Sequence, residues 1–138
     1  TTFLFSSLFA AERKPPNMQL WSKYDVITLK RNQIAKYHLI IDGVSKFLTF
    51  RWTLYVNEGL VMLYEYEKFT FQNILYISNQ LQGYRLNLKN RAENAFDYPF
   101  ALIVFAEFDD KKQEAMFEFF LKDEKRTILL ERLAPKEE

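Results

Sequence analysis

Residues 46–69 read KFLTFRWTLYVNEGLVMLYEYEKF. Apolar and polar side chains alternate on both sides of Asn57-Glu58-Gly59, the period-two signature of a half-buried strand. The Asn-Glu-Gly segment predicts a three-residue hairpin loop with Gly59 at positive φ. Pairing Val56 with Leu60 then sets Leu54 opposite Met62, Trp52 opposite Tyr64 and Phe50 opposite Tyr66. All these residues are apolar or aromatic, so this is the expected buried face. The other face pairs Arg51 with Glu65 and Thr49 with Glu67, as a wet face should. A slip of one residue would spoil both faces.

The same alternation extends over the rest of the chain. It predicts nine strands, at 24–30, 37–42, 46–56, 60–69, 71–78, 83–89, 100–109, 114–122 and 127–133. A turn at Asp110 to Gln113 pairs Phe108 with Ala115, Ala106 with Phe117, Val104 with Phe119 and Leu102 with Leu121. A further turn at Glu124-Lys125 pairs Leu121 with Ile128 and Phe119 with Leu130. The last three strands would then form one meander. Residues 90–99 make the longest connection, with room for one helical turn at Ala92 to Phe96, and would carry the chain between sheets. The expected fold is an all-β antiparallel two-sheet sandwich, broadly immunoglobulin-like. The alternative is a small closed β-barrel. An outer-membrane barrel fits poorly, because Arg51, Glu65 and Glu67 would face lipid.

Composition supports a β domain and excludes several kinds of chemistry. The 138 residues include 14 Phe, 8 Tyr and 2 Trp, residue types that favour strands. A chain of this length buries enough surface to fold without metal or disulfide. With no cysteine there can be no thiolate site, nucleophilic thiol or disulfide. Only 3 Gly are present, which leaves no material for a glycine-rich phosphate loop. The net charge of +1, with no basic stripe, argues against nucleic-acid binding.

Two regions follow from the N-terminal composition. Residues 1–16 form an apolar segment, a possible signal remnant or docking arm, and residues 17–138 a single β domain. Thr1 to Ala11 read TTFLFSSLFAA, then Glu12-Arg13-Lys14. The run falls short of the ~20 residues of a transmembrane helix. It resembles the second half of a secretory signal, which places the protein in the periplasm or cell envelope; without export it would be cytoplasmic.

No catalytic, metal-binding or cofactor-binding constellation emerges. His38, in KYHLIID, is the only histidine, and no serine lies in a nucleophile-elbow frame. Glu65 and Glu67 share a strand face as glycosidase acids do, but the expected register makes them a charge ladder with Arg51. Asp109 and Asp110 could offer oxygens to Ca²⁺, but Lys111 and Lys112 follow directly.

What remains is a surface. The meander register aligns Ile103, Phe120 and Leu129 across the outer face, with Phe105 and Met116 beside them. A solvated face would not carry such a row. The sequence thus predicts a non-enzymatic interaction or assembly module of a bacterial-type cell envelope. Its partner would be a protein or a second copy of the chain, and it would need no cofactor. The alternative function is a carrier holding a small apolar ligand in a β cavity.

Overall fold

A computed structural model of the protein describes residues 22–77, 82–89, 99–123 and 127–136. These residues form nine strands: β1 (Lys23–Lys30), β2 (Ile34–Ile41), β3 (Val44–Val56), β4 (Gly59–Tyr66), β5 (Phe69–Tyr76), β6 (Gly83–Asn87), β7 (Phe100–Asp109), β8 (Glu114–Lys122) and β9 (Leu129–Lys136). They pair in two antiparallel sheets, a four-stranded one in the order β1-β8-β7-β6 and a five-stranded one in the order β5-β4-β3-β2-β9. The sheets pack face to face as a sandwich, not a closed barrel. The expected helical turn at Ala92 to Phe96 and the N-terminal segment 1–16 lie outside the described residues.

Local turn chemistry closes each hairpin. Asp42 (φ 53°) and Gly43 (φ 78°) join β2 to β3, both in the left-handed conformation of a two-residue loop. Between β7 and β8, the Asp109 carboxylate accepts the backbone N–H groups of Lys111 and Lys112 at 3.0 and 3.1 Å, and Gln113 (φ 54°) ends the turn.

The β3–β4 hairpin exists, but its loop has two residues. Asn57 (φ 53°) and Glu58 (φ 66°) take the left-handed positions, and Val56 pairs with Gly59. Gly59 is not at positive φ. It is glycine for another reason: a Cβ there would lie 2.8 Å from the Tyr76 ring and 2.9 Å from an Ile74 methyl. The shorter loop and a bulge each shift the ladder by one residue, so that Trp52 faces Met62, Phe50 faces Tyr64, Arg51 faces Leu63 and Thr49 faces Glu65. Arg51 therefore does not oppose Glu65. A bulge at Thr53 inverts the faces beyond it. Tyr55 turns inward, while Leu54 and Val56 turn out.

A second bulge corrects the β7–β8 register. Phe108 pairs with Ala115 as expected, but Ala106 is the extra residue. Beyond it Phe105 pairs with Phe117, Ile103 with Phe119 and Ala101 with Leu121. The core face of β7 is thus Ala101, Ile103 and Phe105, not Leu102, Val104 and Ala106.

The chain changes sheets elsewhere than expected. The connection spanning 90–99 joins β6 and β7, neighbours in one sheet; the crossings follow β1, β5 and β8. The last expected hairpin does not form, because β9 pairs with β2. Asp123 directs this departure. It is buried; its backbone N–H and C=O both bond the Ser22 hydroxyl, and its carboxylate accepts the Ile128 N–H at 2.7 Å.

Candidate interaction surface

The interior is filled by rings from both sheets. Tyr37 stacks on Phe119 with centroids 4.2 Å apart, and Tyr55 on Phe108 at 3.9 Å. Phe50 meets Phe117 edge-on at 5.4 Å, and Tyr64 meets Tyr84 at 4.6 Å. Polar atoms in this layer find partners. Trp52 Nε1 donates to the Leu29 carbonyl, and Tyr66 Oη to the Leu88 carbonyl. Burial raises the pKa of the Tyr37, Tyr64 and Tyr66 hydroxyls well above the ordinary tyrosine value; at Tyr37 the Asp25 carboxylate adds to the effect. Tyr37 donates to that carboxylate at 2.9 Å, and Arg132 Nη1 lies 3.2 Å from the same oxygen. This trio joins β1, β2 and β9 across the sandwich and is accounted for as a tie between sheets.

His38 has neighbours that the sequence did not foretell. Its Nε2 shares a hydrogen bond with Ser45 Oγ, and its Nδ1 lies 3.9 Å from Glu131 Oε1. The order hydroxyl, imidazole, carboxylate resembles a hydrolytic triad, but the geometry falls short. At 3.9 Å the carboxylate is beyond hydrogen-bond reach and cannot orient the ring. Glu131 is largely solvated, and Ser45 sits on a strand, not a strained turn. The imidazole stacks on Phe47 at 4.8 Å, as an ordinary cross-strand pair does. Among the described residues no group of acidic and histidine side chains could hold a metal ion. No helix among them is long and apolar enough to cross a membrane.

The predicted row does not lie on one surface. Ile103 and Phe105 are fully buried in the core, placed there by the Ala106 bulge. Met116 and Phe120 do lie on the outer face of β8, but Met116 is half-buried and Phe120 only 7% exposed, against Tyr24 at 5.1 Å. Leu129 is exposed, but on the other sheet, opposite Ile40.

Exposed apolar surface gathers instead on the five-stranded sheet. Leu54 (43% exposed) and Val56 (52%) on β3 and Ile74 (45%) on β5 occupy the outer face on either side of Val61 on β4, which pairs with both Leu54 and Ile74. The Thr53 bulge turned two of them outward. Phe69, at the start of β5, is 52% exposed. It borders an open groove of about 520 Å³ between the β2–β3 and β4–β5 loops, crossed by the Lys46–Glu67 ion pair at 3.0 Å.

This patch ends at an open sheet edge. Among the described residues β5 pairs only with β4, and Thr70, Gln72 and Ile74 are all exposed. The other three edges are guarded. On β1, the Arg132 guanidinium bonds the Val26 carbonyl at 3.0 Å, beside charged Lys23, Asp25 and Lys30. β6 is five residues long and carries Arg85. β9 carries Glu131 and Arg132. Charge, proline and shortness are the usual defences of an edge. β5 and the residue after it, FTFQNILYI, have none of these.

Comparisons with protein-family models, with curated proteins and with solved structures gave no match for this chain.

Proposed function

We propose that the protein is a non-catalytic interaction or assembly module that binds a partner through β5 and the adjoining outer face of the five-stranded sheet. The observation that carries this reading is an uncharged strand edge, unpaired among the described residues, beside exposed Leu54, Val56 and Ile74. Strand addition suits such an edge: main-chain hydrogen bonds give affinity, and alternate side chains give specificity. The ring-filled space between the sheets favours this reading over a carrier of small apolar ligands. The apolar run of residues 1–11 supports an exported, periplasmic or cell-envelope setting.

Photo-crosslinking in cells tests the reading. Benzoylphenylalanine installed at Ile74 should give discrete protein adducts. The same probe at Thr28, exposed on the four-stranded sheet, should give none. Adducts at Thr28 alone, or at neither position, would refute the proposal. Fractionation of the tagged chain tests the setting: recovery in the envelope fraction supports it, and recovery in the cytosol contradicts it.

A further inference from the structure

Resting on that reading, we infer that the occupant of the open edge is a second copy of this chain, joined β5 to β5 in antiparallel fashion about a two-fold axis at Asn73. The first support is the polarity of the strand. Phe69, Phe71, Asn73 and Leu75 alternate onto one side of β5, Ile77 follows in the same phase just beyond its end, and in that set apolar pairs flank a central amide. A two-fold axis at Asn73 pairs Phe71 with Leu75 and Phe69 with Ile77 of the partner. Centring the axis on Gln72 would oppose Asn73 to Phe71; centring it on Ile74 would oppose Asn73 to Leu75. On this side of the strand only the Asn73 axis matches apolar with apolar and amide with amide; on the other side it sets Gln72 opposite Ile74 and Thr70 opposite Tyr76.

The second support is the hydrogen-bond phase. Tyr66 and Phe69 flank the two-residue Glu67-Lys68 loop and close the β4–β5 ladder as a bonded pair. Alternation then points the N–H and C=O groups of Thr70, Gln72, Ile74 and Tyr76 away from β4. About the Asn73 axis these groups meet their own kind: Gln72 bonds Ile74 of the partner, and Thr70 bonds Tyr76. Both copies thus present their open groups in phase. The third support is charge. The stretch 69–77 has no ionisable side chain except Tyr76, so no like charges oppose one another. At the centre, Asn73 Oδ1 accepts the Tyr64 hydroxyl at 2.9 Å, which leaves the carboxamide NH₂ to bond across the axis. The product is one continuous ten-stranded sheet. An isologous pairing of this kind closes on itself and does not propagate.

Sedimentation velocity of the full chain, from micromolar to millimolar concentration, should show a monomer passing to a species of twice its mass. Ile74→Lys should weaken this association by roughly tenfold or more, as a charge on the edge opposes its neighbours across the axis. Gln72→Pro, which removes an outward N–H, should abolish it. Circular dichroism checks that both variants stay folded. Because the chain has no cysteine, Asn73→Cys gives a clean register probe: it should oxidise to a covalent dimer far faster than Gln72→Cys or Ile74→Cys. A monomer at every concentration, with Ile74 photo-adducts of other masses, overturns the self-pairing and leaves the interaction module standing. Equal crosslinking at positions 72, 73 and 74 overturns the register. No adducts and no dimer would sink both.

Discussion

Replacing Ile103 and its neighbour Val104 by threonine, one at a time, tests the bulge that sorts the faces of β7. Ile103 is fully buried opposite Phe119, and Val104 is half-buried on the outer face opposite Glu118. Ile103→Thr removes apolar reach worth ~0.8 kcal/mol per methylene and buries a hydroxyl, which costs about 1–3 kcal/mol if unpaired. The expected loss is about 2–4 kcal/mol, or roughly 6–16 °C in Tm for a chain of this size. Val104→Thr keeps shape and places its hydroxyl near water, for a loss of about 1 kcal/mol or less. Urea unfolding followed by tryptophan fluorescence reads both; slopes should match the wild type, with only midpoints moving. Without the Ala106 bulge the two residues would exchange faces. A larger loss from Val104→Thr than from Ile103→Thr would therefore refute the sorting.

Gly59→Val should lower Tm through collision with Tyr76 and Ile74, and adding Tyr76→Ala should recover part of the loss; stabilisation by Gly59→Val would contradict the packing account. Stability should fall steeply as pH rises above 10, the ordinary value for a tyrosine hydroxyl. The hydroxyls of Tyr37, Tyr64 and Tyr66 ionise in the unfolded chain there but stay protonated when folded, so the stabilisation is complete below pH 10 and is lost above it. The loss can reach about 1.4 kcal/mol per pH unit for each group, and a flat urea midpoint from pH 9 to about 11.5 would contradict it. His38→Ala should move Tm by no more than a few degrees and leave p-nitrophenyl acetate turnover at the wild-type background. A wild-type rate above buffer that vanishes in the variant would instead make the His38–Ser45–Glu131 group catalytic.

Element positions were legible in the sequence because alternation and turn residues agreed with each other. The sandwich and its nine strands follow from that agreement, each strand overlapping its expected range. Faces were legible only where the two sides of a strand differ in polarity. Thr49, Arg51 and Glu65 mark the outside of β3 and β4 without ambiguity. Along β7, by contrast, Leu102, Ile103, Val104, Phe105 and Ala106 are apolar on both sides, so alternation could not locate a bulge. The same holds for Leu54, Tyr55 and Val56. The interaction row failed for this reason: it was built on the unbulged register. The crossing after β8 was hidden because it rests on contacts of Asp123 with Ser22, far along the chain, and with Ile128. The open β5 edge could have been found from composition, since FTFQNILYI is the one strand region without Lys, Arg, Asp, Glu or Pro. What the sequence lacked was the strand order that places it at an edge.

Amide hydrogen exchange at β5, measured residue by residue at two protein concentrations, tests most directly whether this edge is the binding surface. The N–H groups of Thr70, Gln72, Ile74 and Tyr76 should exchange rapidly in dilute protein. They should slow as concentration rises, in step with the association, while the inward-bonded Phe71 and Asn73 are already protected. Exchange at those four positions that is slow in the dilute monomer, or that does not change while the chain associates, would contradict an open edge that pairs.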